Sequence, residues 1–307
     1  MRSGERRGKR SLQAVSGLVA VRQVFCSATE RATIRTGMAA LRILVTGSEG
    51  FLGRYVVEAA RAAGHTPLTT SRRGGDAQVD LLAPGMVAAV IEGLQPDVVV
   101  HLAEMSRYGA CQAEPALAAQ VNTVLPEEWA KRFGARLLFS STDLVFDGHS
   151  APYDEGDSPS PLSVYGASKA QGEECVRDHG GRVVRLPLLF GTDSEGRGAT
   201  ASLRQAIAAG TRSPLFTNEY RTPLHAADAA RALVAFVVDP DGPNMFHLPG
   251  PERVSRWQLA QRFCAAQGLA TDTLDAVECQ DPLRPRDVSL LSAWRAERSL
   301  DDMLLDG

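Results

Sequence analysis

Several things are scarce in this chain. Its five cysteines (Cys26, Cys111, Cys175, Cys264, Cys279) are odd in number and scattered, and no CxxC occurs. That spacing excludes a disulfide framework and a thiolate zinc site, and leaves reduced thiols in a cytoplasmic protein as the expectation. No apolar run reaches the ~18 residues of a membrane span. The net charge is only −3 over 307 residues, so nothing in the overall balance attracts nucleic acid or an anionic membrane. The six histidines (His65, His101, His149, His179, His225, His247) have no metal-ligand spacing, so no metal site is expected. Hydrophobic residues make up 44% of the chain, enough for one large or two smaller cores.

The first forty residues stand apart. Eight Lys and Arg against two acids give this segment +6 and leave −9 to the rest. Its short apolar piece, Ala14 to Val21, is followed by Arg22, which makes a poor secretory signal. An Arg-rich, acid-poor segment is compatible with an organelle presequence. The simpler expectation for 1–40 is a disordered basic extension or an upstream start, with the domain beginning near Met38.

From Leu41 the pattern alternates. Arg42–Thr46 is a short apolar run ending at Gly47, as a buried parallel strand ends. Helix is expected from Phe51 to Ala63, strand over Thr66–Thr70, a short strand over Gln78–Leu81 and helix over Met86–Gly93. Strand over Asp97–Leu102, helix over Pro115–Val124, strand over Arg136–Ser140, helix over 163–178 and strand over Arg182–Leu186 follow. This order predicts an α/β fold, a doubly wound parallel sheet of Rossmann type.

Two patterns carry chemistry. The turn Gly47-Ser-Glu-Gly50-Phe-Leu-Gly53 follows a strand and opens a helix. There glycines let backbone approach a pyrophosphate at a helix N-terminus. Glu49 is expected to face away from the phosphates, which it would repel. At the second strand's end, Ser71-Arg72-Arg73 stands where an NAD site usually has an acid. Arginine suits a 2′-phosphate, which favours NADP(H) and leaves NAD(H) open. Asp80 is placed to meet the adenine amino group, though a plain turn aspartate reads equally well. The second pattern is Tyr165 and Lys169, four apart on one helix face. A neighbouring ammonium favours the phenolate, so the tyrosine pKa is expected below its usual ~10, ready for proton transfer at a carbonyl or alcohol oxygen.

With these stretches in view, the chain from Leu41 to Leu300 resembles the extended short-chain dehydrogenase/reductases, and within them the dTDP-4-dehydrorhamnose reductase branch. The resemblance is carried by Thr46–Gly53, Pro115–Asn122, Ser140–Gly148, Tyr153–Lys169, Gly172-Glu173, Arg221–Ala230, Met245–Gly250 and Arg284–Leu290. It implies a dinucleotide-binding domain over 41–190, rejoined by 216–245, and a smaller substrate-binding part from 191–215 and 246–303. It implies catalytic roles for Thr142, Tyr165 and Lys169. Gly47, Gly50, Phe51, Leu52, Gly53, Ser71, Arg72, Arg73, Asp80, Leu81, Leu102, Ala103, Ser140, Tyr165, Lys169, Pro187 and Leu188 would meet the cofactor. Asp143 and Arg221 would meet substrate, and Arg284 and Arg286 could help hold a nucleotide diphosphate; for Asp143, bracing its loop is an equal alternative. Asn122 is expected to be a structural amide.

Sugar-nucleotide dehydratases in this group read Thr-Asp-Glu at the catalytic strand end. Here Thr142-Asp143 is followed by Leu144, so elimination lacks its second carboxylate. The implied activity is NADPH-dependent reduction of the 4-keto group of a nucleotide-linked deoxysugar. Two alternatives stay open: an NAD(P)-dependent epimerase, and a non-catalytic dinucleotide-binding regulatory subunit. The resemblance admits a homodimer. Two departures stand out. Glu104 replaces a small residue beside the cofactor, and the segment from Asn122 to Ser140, containing Pro126, is about one helical turn short.

Overall fold

A computed structural model describes residues 39–306; the expected basic extension lies, up to residue 38, outside the described residues. Strands β1 (Arg42–Thr46), β2 (Thr66–Ser71), β3 (Ala77–Gln78), β4 (Val98–His101), β5 (Leu137–Thr142) and β6 (Arg182–Leu186) form a parallel sheet in the order 3-2-1-4-5-6. A seventh strand, Met245–His247, pairs in parallel with β6 and crosses the border expected between residues 245 and 246. Helices α1 (Phe51–Ala62), α2 (Met86–Leu94), α3 (Tyr108–Ala113), α4 (Pro115–Ala119), α5 (Leu125–Phe133) and α6 (Val164–Asp178) connect the strands. This is the expected doubly wound α/β architecture.

Side chains alternate along each strand, so each strand supplies both faces. Ile43, Val45, Val100, Leu138 and Val184 point to one core, with helix Ala226–Val237 and α1. Leu44, Val99, Leu137, Phe139 and Val183 point to the other, with Trp129 of α5 at its centre. Of the three tryptophans, Trp129 is fully buried and Trp294 nearly so, both in packing roles.

Three details depart from the sequence expectation. The short third strand is Ala77–Gln78, because Asp80 and Leu81 enter a turn in which Leu82 N–H donates to Asp80 Oδ1 at 3.1 Å. The helix from Pro115 does not end at Val124: a π-helical turn, Gln120–Val124, carries it into α5. Pro126 has no N–H and its ring crowds the carbonyl four residues back, at Asn122. Leu125 N–H reaches to Gln120 O instead, and the widened turn absorbs the proline.

The third is charge inside the sheet. Arg185 of β6 is 2% exposed and makes a two-pronged ion pair with Glu173 of α6, with Nη2 2.7 Å from Oε2 and Nε 3.0 Å from Oε1. Ser141 of β5 donates to the same Oε1, and Arg185 Nη1 lies 3.3 Å from His247 Nε2. Burial, reinforced by the Arg185 charge, pushes the His247 pKa down to about 3, so the ring is neutral. On β6, Arg182 donates to Asp239 O at 2.7 Å and covers the Phe236 ring.

Candidate active site

The carboxyl ends of β1, β2, β4, β5 and β6 meet along one edge of the sheet, where open α/β sheets hold their ligands. After β1, Gly47 has φ +67°, and Gly50 N–H donates to Gly47 O at 2.8 Å. A Cβ on Gly53 would sit 2.3 Å from Gly47 O, so only glycine lets α1 start against this turn. Phe51 and Leu52 form its first turn. No side chain caps α1, and its first turn holds no acid. Its leading amides therefore suit an anion.

Beside this turn, Thr46 Oγ1 accepts from Leu102 N–H at 3.1 Å and Ala103 N–H at 3.2 Å, which locks the end of β4 against Gly47. His101 Nδ1 lies 2.9 Å from the same oxygen, and burial followed by the Lys169 charge lowers the His101 pKa to about 3. The segment from Gly191 to Gly198 lies over the turn. Arg197 donates to Glu49 O at 2.6 Å, and the half-buried Asp193, its side chain covered, pairs with both Arg54 and Arg197.

At the end of β2, Arg72 and Arg73 are exposed, and Arg73 lies 3.7 Å from Glu195. Ser71 Oγ accepts from Arg73 N–H and Gly74 N–H and donates to Glu49 Oε2 at 2.6 Å. The Glu49 carboxylate thus turns toward the end of β2. Asp80 is exposed and closes its own turn, and Leu81 is half-buried beside it.

The trio lies at the ends of β5 and α6. Ser163 caps α6 by accepting from Gly166 N–H at 3.1 Å, which sets Tyr165 and Lys169 one turn apart. Lys169 is fully buried; its Nζ donates to Ser140 O at 2.6 Å and lies 4.2 Å from the Phe139 ring centre. Thr142 ends β5; it accepts from Leu144 N–H at 3.2 Å and donates to Asp143 Oδ1 at 3.2 Å, with its hydroxyl near that of Tyr165. Glu104 enters between the pair. Its Oε2 is 3.2 Å from Tyr165 Oη and 3.1 Å from Lys169 Nζ.

This corrects the expected electrostatics. The Tyr165 pKa is raised well above 10, first by burial and then by the Glu104 charge, with Thr142 opposing and Asp143 adding to the rise. The ammonium that was to lower it is already paired.

Asp143 and Arg221 are brought together, Oδ1 to Nη1 at 2.8 Å, and both are buried. Burial raises the Asp143 pKa, and Arg221 opposes the rise. Arg221 also reaches Glu219, which Arg284 holds from the other side at 2.8 Å. Arg286 donates to the carbonyls of Asp281 and Arg284. Pro187 is buried after β6, and Leu188 O accepts from Leu224 N–H at 3.1 Å. Glu219 was not visible from the sequence, and only the unusual carboxylate at 104 pointed to the Glu104 contacts.

Asn122 holds Met105 in both directions, accepting from its N–H at 2.9 Å and donating to its carbonyl at 3.0 Å, while also reaching Ser168. It ties the loop bearing Glu104 to α6.

A glycine turn under an uncapped helix, with a Thr/Tyr/Lys set at the neighbouring strand ends, defines an extended short-chain dehydrogenase/reductase fold. Within it, residues 41–301 match the family model for the RmlD substrate binding domain, and the chain belongs to that family. The chain is 32% identical over 247 residues to methionine adenosyltransferase 2 subunit beta of Mus musculus, covering 76% of this chain and 74% of the relative. It is 29% identical over 260 residues to the probable low-salt glycan biosynthesis reductase Agl14 of Haloferax volcanii, covering 78% and 85%. Its fold superposes on the dTDP-4-dehydrorhamnose reductase of Bacillus anthracis, solved in complex with NADP, with a TM-score of 0.78, 19% identity and coverage of 87% and 98%. No helix among the described residues is long and apolar enough to cross a membrane.

Proposed function

We propose that this chain reduces the 4-keto group of a nucleotide-linked deoxysugar, with NADPH as the favoured reductant. One observation carries the reading. Thr142 and Tyr165 bring their hydroxyls to the same strand ends, beside an uncapped, acid-free helix start. The residues fit a dinucleotide: the Gly47–Gly53 turn would hold its diphosphate, Ser71, Arg72 and Arg73 its adenosine end, and Lys169 with the backbone near Ala103 and Pro187 its nicotinamide end. When bound, that group supplies hydride to the carbonyl carbon. Tyr165 gives its hydroxyl proton to the carbonyl oxygen, and Thr142 bonds the same oxygen and fixes its direction. Asp143, held by Arg221, braces Thr142 from below. Leu144 in place of a second carboxylate argues against elimination.

The test is the loss of NADPH absorbance with a panel of nucleotide-linked 4-keto-6-deoxy sugars. Consumption with at least one supports the reading; NADPH binding with no consumption across the panel overturns it. A second reading, a dinucleotide-binding subunit without turnover, has one observation in its favour: the mouse relative is named as a subunit of another enzyme. Copurification of a partner enzyme with an inert, NADPH-binding chain would support it.

Cofactor choice gives a separate expectation. Arg72 and Arg73 stand at the end of β2, with the Glu49 carboxylate on Ser71 and Glu195 3.7 Å from Arg73. Replacing both arginines by alanine is expected to weaken NADPH at least about tenfold, as for loss of a charged hydrogen bond, with NADH little changed. Equal losses in fluorescence titrations would remove the preference. The proposed setting is cytoplasmic, where Cys111, Cys264 and Cys279 stay as buried thiols, with a homodimer as the assembly.

A further inference from the structure

We propose that Glu104 is a positioning residue of the reacting site, whose carboxylate holds both the Lys169 ammonium and the Tyr165 hydroxyl and so keeps the phenol protonated as the donor. This rests on the reductase reading above and adds the residue that keeps its proton donor protonated.

The geometry is built in. Glu104 precedes Met105, which Asn122 grips through both backbone groups. The carboxylate meets a fully buried ammonium at 3.1 Å and a 7% exposed phenol at 3.2 Å through the same oxygen, while its side chain keeps 29% exposure toward the cleft. An ammonium alone beside a phenol stabilises the phenolate. Here the ammonium is neutralised, and a phenolate would stand within hydrogen-bond distance of a second anion. The other groups facing the phenol do not restore the balance. Thr142 eases the rise only in part, its own proton going to Asp143 Oδ1; Asp143 adds negative charge, and Arg221 is already committed to Asp143 and Glu219. His101 beneath Lys169 is neutral, and the Cys111 thiol beside Glu104 is pushed upward by burial and by that carboxylate.

The neutral phenol has consequences for each direction. In reduction, the phenol O–H rotates from Glu104 to the substrate oxygen. The C=O π bond breaks as a hydride from NADPH forms the new C–H bond. The O–H proton passes to the oxygen, NADP⁺ is left, and the phenolate regains a proton from solvent at the open side of Glu104. Alcohol oxidation needs the reverse, a phenolate that takes a proton before hydride leaves. Glu104 keeps that species scarce near neutrality. Epimerisation through transient oxidation begins with that disfavoured step.

The test needs no substrate at its core. The near-ultraviolet tyrosinate band is titrated in the parent chain, in Glu104→Gln and in each combined with Tyr165→Phe, so that the difference isolates Tyr165. Glu104→Gln is expected to lower its midpoint by about one unit or more, a tenfold change in phenolate fraction. The pH at which keto-sugar reduction falls off, as the phenol loses its proton, should move down by a similar amount. Glu104→Ala, which restores a small side chain, repeats the measurement should the glutamine disturb folding. An unchanged midpoint in both variants overturns the proposal even where keto sugars are reduced. A lowered midpoint with no keto sugar reduced supports the Glu104 assignment and sinks the reductase reading instead.

Discussion

Tyr165→Phe is expected to lower keto-sugar reduction by about 10²–10⁴-fold, the usual contribution of a positioned proton donor, while leaving NADPH binding within about twofold. The ring survives the change, so its packing with Cys111 and Ala118 is kept. Lys169 keeps its bonds to Ser140 O and Glu104, and Thr142 keeps its bond to Leu144 N–H. Only the hydroxyl goes, with its transferable proton and its bond to Glu104. Turnover by NADPH absorbance and binding by NADPH fluorescence, measured on the same preparation, separate chemistry from affinity. Parent-like turnover would remove Tyr165 from its role. Parallel loss of turnover and binding would mean that the hydroxyl shapes the cleft and does not serve the reaction.

The largest stability effect is expected at Glu173. Glu173→Ala leaves Arg185 charged, 2% exposed and without the carboxylate that accepts two of its N–H groups. Breaking such a buried pair from one side costs about 3–5 kcal/mol, a large share of the ~5–15 kcal/mol that holds a typical domain. The denaturant midpoint should fall accordingly. Replacing both partners with methionine removes the stranded charge, and that double variant should be more stable than Glu173→Ala alone. A double variant no better than the single one would show that the pair itself carries the stability.

Local patterns were legible wherever sequence neighbours decide the outcome. Arg42–Thr46 and Arg182–Leu186 occupy the strands read from their apolar runs, and the Gly47–Gly53 turn opens α1 as its spacing implied. The sequence pattern ends the helix from Pro115 at Val124, since the π-turn that carries it past Pro126 cannot be seen in composition. For β3 the expectation missed Ala77 and wrongly took in Val79–Leu81, because so short an edge strand is set by its turn. The electrostatics of the site were read in the wrong direction. A tyrosine and a lysine four apart announce themselves, whereas the carboxylate between them lies 61 residues from Tyr165 in the chain. The ion pair of Glu173 and Arg185 was hidden for a related reason: an arginine within a buried strand looks like an edge residue until its partner on the overlying helix is placed.

The seventh strand bears on how the protein is made. Until Met245–His247 has left the ribosome, β6 is the open border of the growing sheet, and its valines invite another chain. Arg182 at its start must also wait, since Phe236 and Asp239 come later. An unsatisfied guanidinium on a bare border is a gatekeeper against misassociation. The charge that later lies inside the finished sheet is thus a guard during synthesis, and an apolar residue at 182 would leave nascent chains more prone to clump than its effect on the folded protein suggests.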